Sequence, residues 1–388
     1  MPVQPLTIVV ILLSVEALVL SAAAWPPLKK VFSVLPPLFW IYFLPMVLAT
    51  TGLLPARHPV YEAITTTLLP AGLILILLPV NLRNIFKLGG QALTIMLAGS
   101  LGIILGAPLV ILIFKPWMPA DIWKGFGALS GSWIGGSSNM LAIKEAIGTP
   151  EDIFFLMVIM DTVVVYLWMA TLIALSNVQE KFDRWNRARV EPVKEIAARV
   201  ATENSRNLVP QVRHLAGILA IALAGSWLSF QLGQTLPEMK NLLAPFTWTV
   251  IIASLLGILL SETPLREIES YGASRLGYLM LFLVLASIGA RGNLSRISQA
   301  PLLVIAGFLW VFIHAGVLVL TGRLLRAPLC LLATASQANL GGPASAPVVA
   351  EAYQPGLAPV GVLMAILGLL LGTFLGLLCC QLCRLVAS

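Results

Sequence analysis

Two glycine pairs carry most of the chemistry that this sequence can offer. One lies in Ser130-Gly131-Ser132-Trp133-Ile134-Gly135-Gly136-Ser137-Ser138-Asn139, the other in Ser336-Gln337-Ala338-Asn339-Leu340-Gly341-Gly342-Pro343-Ala344-Ser345. Both sit in apolar surroundings, where a non-helical backbone persists only if it is buried in protein or lines a watery cavity. Glycine admits positive φ and lets a ligand approach the main chain closely. Ser137, Ser138 and Asn139 are helix-capping residue types, so a short helix is expected to restart there and run through Met140–Ala146. Pro343 directly follows its glycines, the place a helix start favours. Each break would then aim a helix N-terminus, with free N–H groups and a positive dipole end, at the interior. Such a site binds a polar or anionic group. Its candidate residues are Ser132, Gly135, Gly136, Ser137, Ser138 and Asn139 from the first motif. Gln337, Asn339, Gly341, Gly342, Pro343 and Ser345 come from the second, and the amides among them can both donate and accept.

The motifs are related to each other. Gly135 and Gly341 are 206 residues apart, and the same shift pairs Ser130 with Ser336, Gly136 with Gly342 and Glu145 with Glu351, without a gap. A lone glycine pair would be read as a device for tight helix packing. The duplication, together with the clustered Ser and Asn residues, favours a functional break.

Other polar residues inside apolar runs are few. Asp161, in Val158-Ile159-Met160-Asp161-Thr162, stands where a carboxylate costs about 2.5–3.5 kcal/mol to insert and where function is the default hypothesis. It is the candidate coupling residue, either binding Na⁺ with Thr162 or carrying a proton. Glu16 is central in the first apolar run and suits a helix or dimer contact as well as a function. His314 reads as a satisfied core histidine. Cys330, Cys379, Cys380 and Cys383 have no partner spacing for a metal and read as small apolar side chains. No Walker A motif, protease constellation or metal-binding spacing appears, so no cofactor and no enzymatic activity are expected. A passive channel is the rival reading that is harder to exclude, with an intramembrane enzyme behind it.

These residues are carried by a chain of 388 residues that is 59% hydrophobic and 11% charged, with a mean hydropathy of +0.94. A soluble domain carries about 25% charged residues, and a membrane-crossing helix needs about 20 apolar residues. The length therefore holds roughly ten to twelve membrane segments. The formal charge of +7 comes from basic residues in short loops, as the positive-inside rule expects, not from a nucleic-acid surface. Lys29 and Lys30 follow the first apolar run and no basic residue precedes it, which argues for a retained first helix with its N-terminus outside. Apolar segments are read at 6–24, 36–54, 63–80, 91–114, 122–147 and 152–177, and again at 212–231, 243–260, 276–290, 301–322, 327–352 and 358–383. Between them, 178–211 is a basic stretch expected in the cytoplasm; Arg83 and Lys87 are expected on the same side. Counting basic residues over all loops fits six crossings per half equally well. With the N-terminus outside and the linker inside, parity instead calls for an odd number, so 122–147 and its counterpart become re-entrant hairpins or broken helices.

At Gly131–Met140 with Lys144-Glu145-Ala146, and at Gln337–Pro347, the chain resembles the YjcL-like family of uncharacterised bacterial integral membrane proteins. More distantly it is similar to the sodium–bile acid symporters, cation–proton antiporters, and citrate and glutamate symporters. It lacks the paired aspartates of the electrogenic antiporters. The resemblance implies an elevator-type transporter with scaffold and core parts, and by analogy a homodimer. The reading is thus an all-α polytopic membrane protein of two inverted repeats, each with five transmembrane helices and a re-entrant or broken helix. The first repeat is 1–177 (1–80 scaffold, 91–177 core), the linker 178–211, and the second repeat 212–388 (212–290 scaffold, 301–388 core). It is expected to move a small anionic or zwitterionic solute across the bacterial inner membrane, coupled to Na⁺ or H⁺, with lipid and solute as partners and no nucleic acid.

Overall fold

The computed structural model describes residues 4–35, 37–80, 85–86, 88–189, 208–238, 245–292 and 300–387. Arg83, Lys87 and the linker's Lys194, Arg199 and Arg206 lie outside them. Among the described residues the protein is helical, with no strand. The helices are α1 (Pro5–Ala24), α2 (Lys29–Val34), α3 (Pro37–Thr50), α4 (Pro59–Leu77), α5 (Gly89–Phe114), α6 (Ile122–Gly135), α7 (Ser137–Ile147), α8 (Glu151–Leu175) and α9 (Gln179–Asn186). The series continues with α10 (Val212–Thr235), α11 (Pro245–Ser261), α12 (Ala273–Arg291), α13 (Ala300–Leu325), α14 (Leu329–Leu340), α15 (Gly342–Tyr353) and α16 (Ala358–Ala387). Several open on proline, which has no N–H to leave unpaired in the first turn. Among the described residues, eight helices are long and apolar enough to span a membrane, or ten if the bent pairs containing α3 and α11 each count as one. On the larger count five fall on each side of the linker. Shifted by 206 residues, the range of α6 falls on 328–341, where α14 lies, and that of α7 on 343–353, where α15 lies.

The chain forms two compact units, and each draws on both halves of the sequence. The first comprises Met1–Pro79, Glu145–Thr162 and Asn207–Ala300; the second comprises Val80–Lys144, Val163–Arg206 and Pro301–Ser388. In the first unit α12 packs against α3 and α4, and α4 against α10 and α11. The described start of the linker belongs to the second unit and is ordered there. Asn186 donates from Nδ2 to the carbonyls of Gly322 (3.1 Å) and Ala327 (2.6 Å), and Asp183 accepts the N–H of Leu329 at 2.8 Å. These contacts fix the entry to α14.

The second unit centres on α6 against α16. Gly127, Gly131 and Gly135 form a row at four-residue spacing on α6, and Gly368, Gly372 and Gly376 form one on α16. The rows meet in antiparallel register. A Cβ on Gly376 would lie 3.1 Å from Gly131 Cα, one on Gly372 3.0 Å from Gly135 Cα, and one on Gly127 2.6 Å from Cys380 Cβ. Small residues at this spacing let two backbones touch, which replaces the hydrophobic driving force that lipid does not supply. A methyl on Gly368 would overlap the Ile134 carbonyl oxygen, whereas one on Gly316 of α13 would meet nothing within 4 Å. Gly368→Ala is therefore expected to destabilise the purified protein by about 1–3 kcal/mol. Gly316→Ala should leave stability unchanged or raise it by about 0.4–1 kcal/mol. Thermal unfolding in detergent compares the two, and equal melting temperatures would refute the backbone contact.

Candidate functional site

The first motif is a broken helix. α6 ends at Gly135, Gly136 adopts φ 91°, ψ 171°, and α7 begins at Ser137. The interruption frees main-chain groups in the interior of the unit, and one side chain answers part of that need. Asn139, 2% exposed, donates from Nδ2 to the carbonyls of Gly135 (2.9 Å) and Leu369 (3.1 Å). Its Oδ1 accepts from the Thr373 hydroxyl at 2.5 Å. Asn139 therefore ties the break to α16. Ser132 and Ser138 are buried beside it, while Gly136 and Ser137 keep partial exposure. Trp133 packs on Trp310 of α13 with ring centroids 4.4 Å apart, and Phe126 stacks on the same indole at 5.1 Å.

The second motif is broken too. α14 ends at Leu340, and Gly342 opens α15 with φ 62°. Pro343 occupies the first turn of α15, as its position in the sequence suggested. Its internal bonding differs from that of the first break. Gln337 stands at the register position of Gly131, and Ser345 at that of Asn139, each 206 residues on. Gln337 Nε2 donates to Ser345 Oγ at 2.8 Å across Gly341. Gln337 is fully buried, and its Oε1 has no hydrogen-bond partner among the described residues. Asn339 Nδ2 donates to Ser100 of α5 at 2.9 Å, while its Oδ1 lies against Gly99 and is likewise without a hydrogen-bond partner.

The two breaks come together. A Cβ on Gly342 would lie 3.9 Å from Gly136 Cα, so the positive-φ glycines face each other. Around them Gly136, Ser137, Gly341, Pro343 and Ser345 retain partial exposure, and the fully buried Gln337 holds Ser345 through Nε2. The start of α7 and the start of α15 supply main-chain N–H donors here. The halves also exchange supports. Ser130 Oγ, which donates to Gly127 O at 2.7 Å, reaches Gly376 O of α16 at 3.5 Å. Its register partner Ser336 accepts from Trp168 Nε1 of α8 at 2.9 Å, and Tyr353 of α15 donates to Leu172 O of α8 at 2.6 Å. His314 is a satisfied core residue: Nδ1 lies 2.8 Å from Gly99 O and Nε2 3.0 Å from Ser336 Oγ.

Asp161 and Thr162 close the 145–162 segment of the first unit. Asp161 is half-buried, and Thr162 turns its hydroxyl to Val158 O of its own helix at 2.8 Å. Glu16 of α1 is 1% exposed, and neither carboxylate oxygen has a hydrogen-bond partner among the described residues. The register-matched glutamates do different work. Glu145 Oε1 accepts from Arg291 at 2.9 Å, whereas Glu351 accepts the N–H groups of Gly356 (3.0 Å) and Ala358 (3.3 Å) at the corner into α16. No group of three or more histidines, cysteines or acids is placed to hold a metal ion among the described residues. The sequence pattern did not single out Thr373, Ser100 or Trp168. The glycine row of α16 was the available signal, because it marks the face on which a partner backbone lies.

Residues 10–386 match the signature of the family described as Protein of unknown function (DUF819). The chain is also 26% identical over 358 residues to "Uncharacterized membrane protein YjcL" of Bacillus subtilis (strain 168), covering 85% of each protein.

Leucine has nearly the shape of Asn, is one methylene shorter than Gln, and makes no side-chain hydrogen bond. Asn139→Leu would remove the bonds to the Thr373 hydroxyl and to the Gly135 and Leu369 carbonyls, and at about 1 kcal/mol per lost bond it should destabilise by about 3 kcal/mol. Gln337→Leu removes one bond together with an unpartnered oxygen and should change stability by less than about 1 kcal/mol. Denaturation of the two variants in detergent measures the difference, and a reversed order would overturn these roles.

Proposed function

The chain belongs to the DUF819 family, a family of membrane proteins by its YjcL relative, and from that premise we propose that it is a secondary transporter of a small polar organic solute. The observation that carries the reading is the meeting of Gly136 and Gly342, each where a helix restarts. Paired broken helices of this kind build solute sites in transporters, since helix N-termini bind anionic groups and unwound backbone binds ions. The solute takes the main-chain N–H groups of α7 and α15, with Ser137, Ser345 and Gln337 Oε1 completing its hydrogen bonds. A carboxylate suits the donors, and an amino or hydroxyl group suits the Gln337 oxygen; an anionic or zwitterionic solute meets both demands.

The finer scheme belongs to the same proposal. The halves are inverted repeats, with the N-terminus outside and the linker in the cytoplasm of a bacterium. The first compact unit acts as scaffold and the second as the mobile core of an elevator, working as a homodimer. The composition of the units favours this, because each is assembled from both halves. Coupling is to Na⁺ or H⁺ through Asp161, a carboxylate near the middle of α8.

Proteoliposomes loaded under an imposed Na⁺ or proton gradient, and offered labelled organic acids and amino acids, test the reading. Wild-type protein should concentrate one solute above equilibrium under one of the gradients. Gln337→Leu should weaken apparent affinity about tenfold, the effect of one buried hydrogen bond of ~1.4 kcal/mol. Asp161→Asn should abolish gradient-driven accumulation while leaving exchange of the solute. Flux that only ever equilibrates the solute would instead identify a channel. Accumulation that survives Asp161→Asn but fails in Glu16→Gln would move the coupling site to α1.

A further inference from the structure

A cavity lies wholly within the first unit. It is a cleft of about 690 Å³ at the end of that unit where α4 and α11 begin and α10 and α12 end. That volume is in the range of small-molecule sites. Its walls include Glu62 and Thr65 of α4, Phe230 of α10, Phe246 of α11, Glu145 and Arg291.

The charges in the cleft are unequal in what they have left to offer. Arg291 is already held by two carboxylates, Glu145 at 2.9 Å and Glu151 at 3.4 Å, so its positive charge is compensated. Among the described residues the Glu62 carboxylate makes no ion pair and no side-chain hydrogen bond, while its main-chain carbonyl accepts from the Thr66 hydroxyl at 2.9 Å. Thr65, one helical turn further along the same face of α4, is 3% exposed. Its buried hydroxyl has no hydrogen-bond partner among the described residues, and the residue borders the cavity. A buried hydroxyl without a partner is costly, and a ligand hydroxyl relieves it. Two phenyl rings complete the wall, and aromatic faces attract alkylated cations. A concave site with one uncompensated carboxylate also concentrates cations from solution.

We propose that this cleft binds a hydroxyalkylammonium ion, the chemistry shared by choline, ethanolamine and the headgroups that contain them. The ammonium group lies at Glu62 between the phenyl rings, and the hydroxyl or ester oxygen bonds to Thr65. The separation of Glu62 and Thr65, three positions apart on one helix face, fits the two-carbon spacing of an amino alcohol. This site stands independently of the transport reading, because its test is a binding measurement that requires no flux.

The test titrates choline into the full-length protein in dodecyl maltoside and follows heat or melting temperature, with NaCl at equal ionic strength as control. Saturable binding is expected. The uncharged isostere 3,3-dimethylbutan-1-ol and the anion propionate should not bind. Glu62→Gln should weaken choline about tenfold or more, with unchanged elution on size exclusion to show that the protein is folded. Thr65→Val should weaken choline but leave tetramethylammonium, which has no hydroxyl, unaffected; this holds even if the Glu62 variant proves unstable. Phosphatidylglycerol nanodiscs with and without phosphatidylethanolamine separate the sources. Loss of choline binding in the ethanolamine discs assigns the site to the lipid headgroup, and retention assigns it to a free solute. Absence of saturable choline binding, equal binding of the neutral isostere, or Glu62→Gln and Thr65→Val both indistinguishable from wild type overturns the proposal.

Discussion

A helix interrupted inside an apolar slab must find partners for the main-chain groups it releases, because the surrounding hydrocarbon offers none. In this protein the interruption at Gly136 meets that requirement through a neighbouring helix. Asn139 reaches two carbonyls and takes one hydroxyl, and two of those three partners, Leu369 and Thr373, belong to α16. The arrangement works only if α6 and α16 are close enough for a short amide to bridge them. The opposed glycine rows provide that closeness: Gly131 faces Gly376, and Gly135 faces Gly368 and Gly372. Packing and hydrogen bonding are therefore one device. A methyl group in the seam would push Asn139 out of reach and leave the break unsatisfied.

The second break shows what the same register does with different side chains. Gln337 replaces Gly131 and Ser345 replaces Asn139, so the bonding turns inward across Gly341 and no longer runs to the last helix. Its attachment comes from elsewhere: Ser100 of α5 holds Asn339, and Trp168 and Tyr353 bond it to α8. The consequence is an asymmetric pair. The first break is tied to α16 through Asn139, while the second keeps the buried Gln337 amide oxygen without a partner among the described residues. A pair of this kind offers main-chain donors from both sides and a side-chain acceptor from one, which is the basis for reading the solute as carrying both kinds of group.

Much of the architecture was legible in the residues themselves. Apolar run lengths implied the spanning helices, and the 206-residue repeat located both breaks to within a residue of Gly136 and Gly342. Proline at 343 marked a helix start. Glycine and proline act locally, through φ and the missing N–H, so their meaning survives without knowledge of any neighbour. The reading of Asn139 as a ligand group was made on residue type, and its partners Leu369 and Thr373 lie some 230 residues away; no local pattern announces such a bond. The matched glutamates illustrate the same limit. Glu145 and Glu351 share a register position, yet one meets Arg291 and the other caps a turn.

By itself, then, the sequence determined that the chain is a multi-pass helical membrane protein with two related interruptions, since hydropathy, proline and glycine encode those features one segment at a time. Tertiary structure alone decided that the interruptions meet, that the glycine rows of α6 and α16 interlock, and that Arg291, Glu62 and Thr65 border one cleft. The reason is physical: which donor satisfies which acceptor depends on distances between segments far apart in the chain, and those distances are set by how whole helices pack.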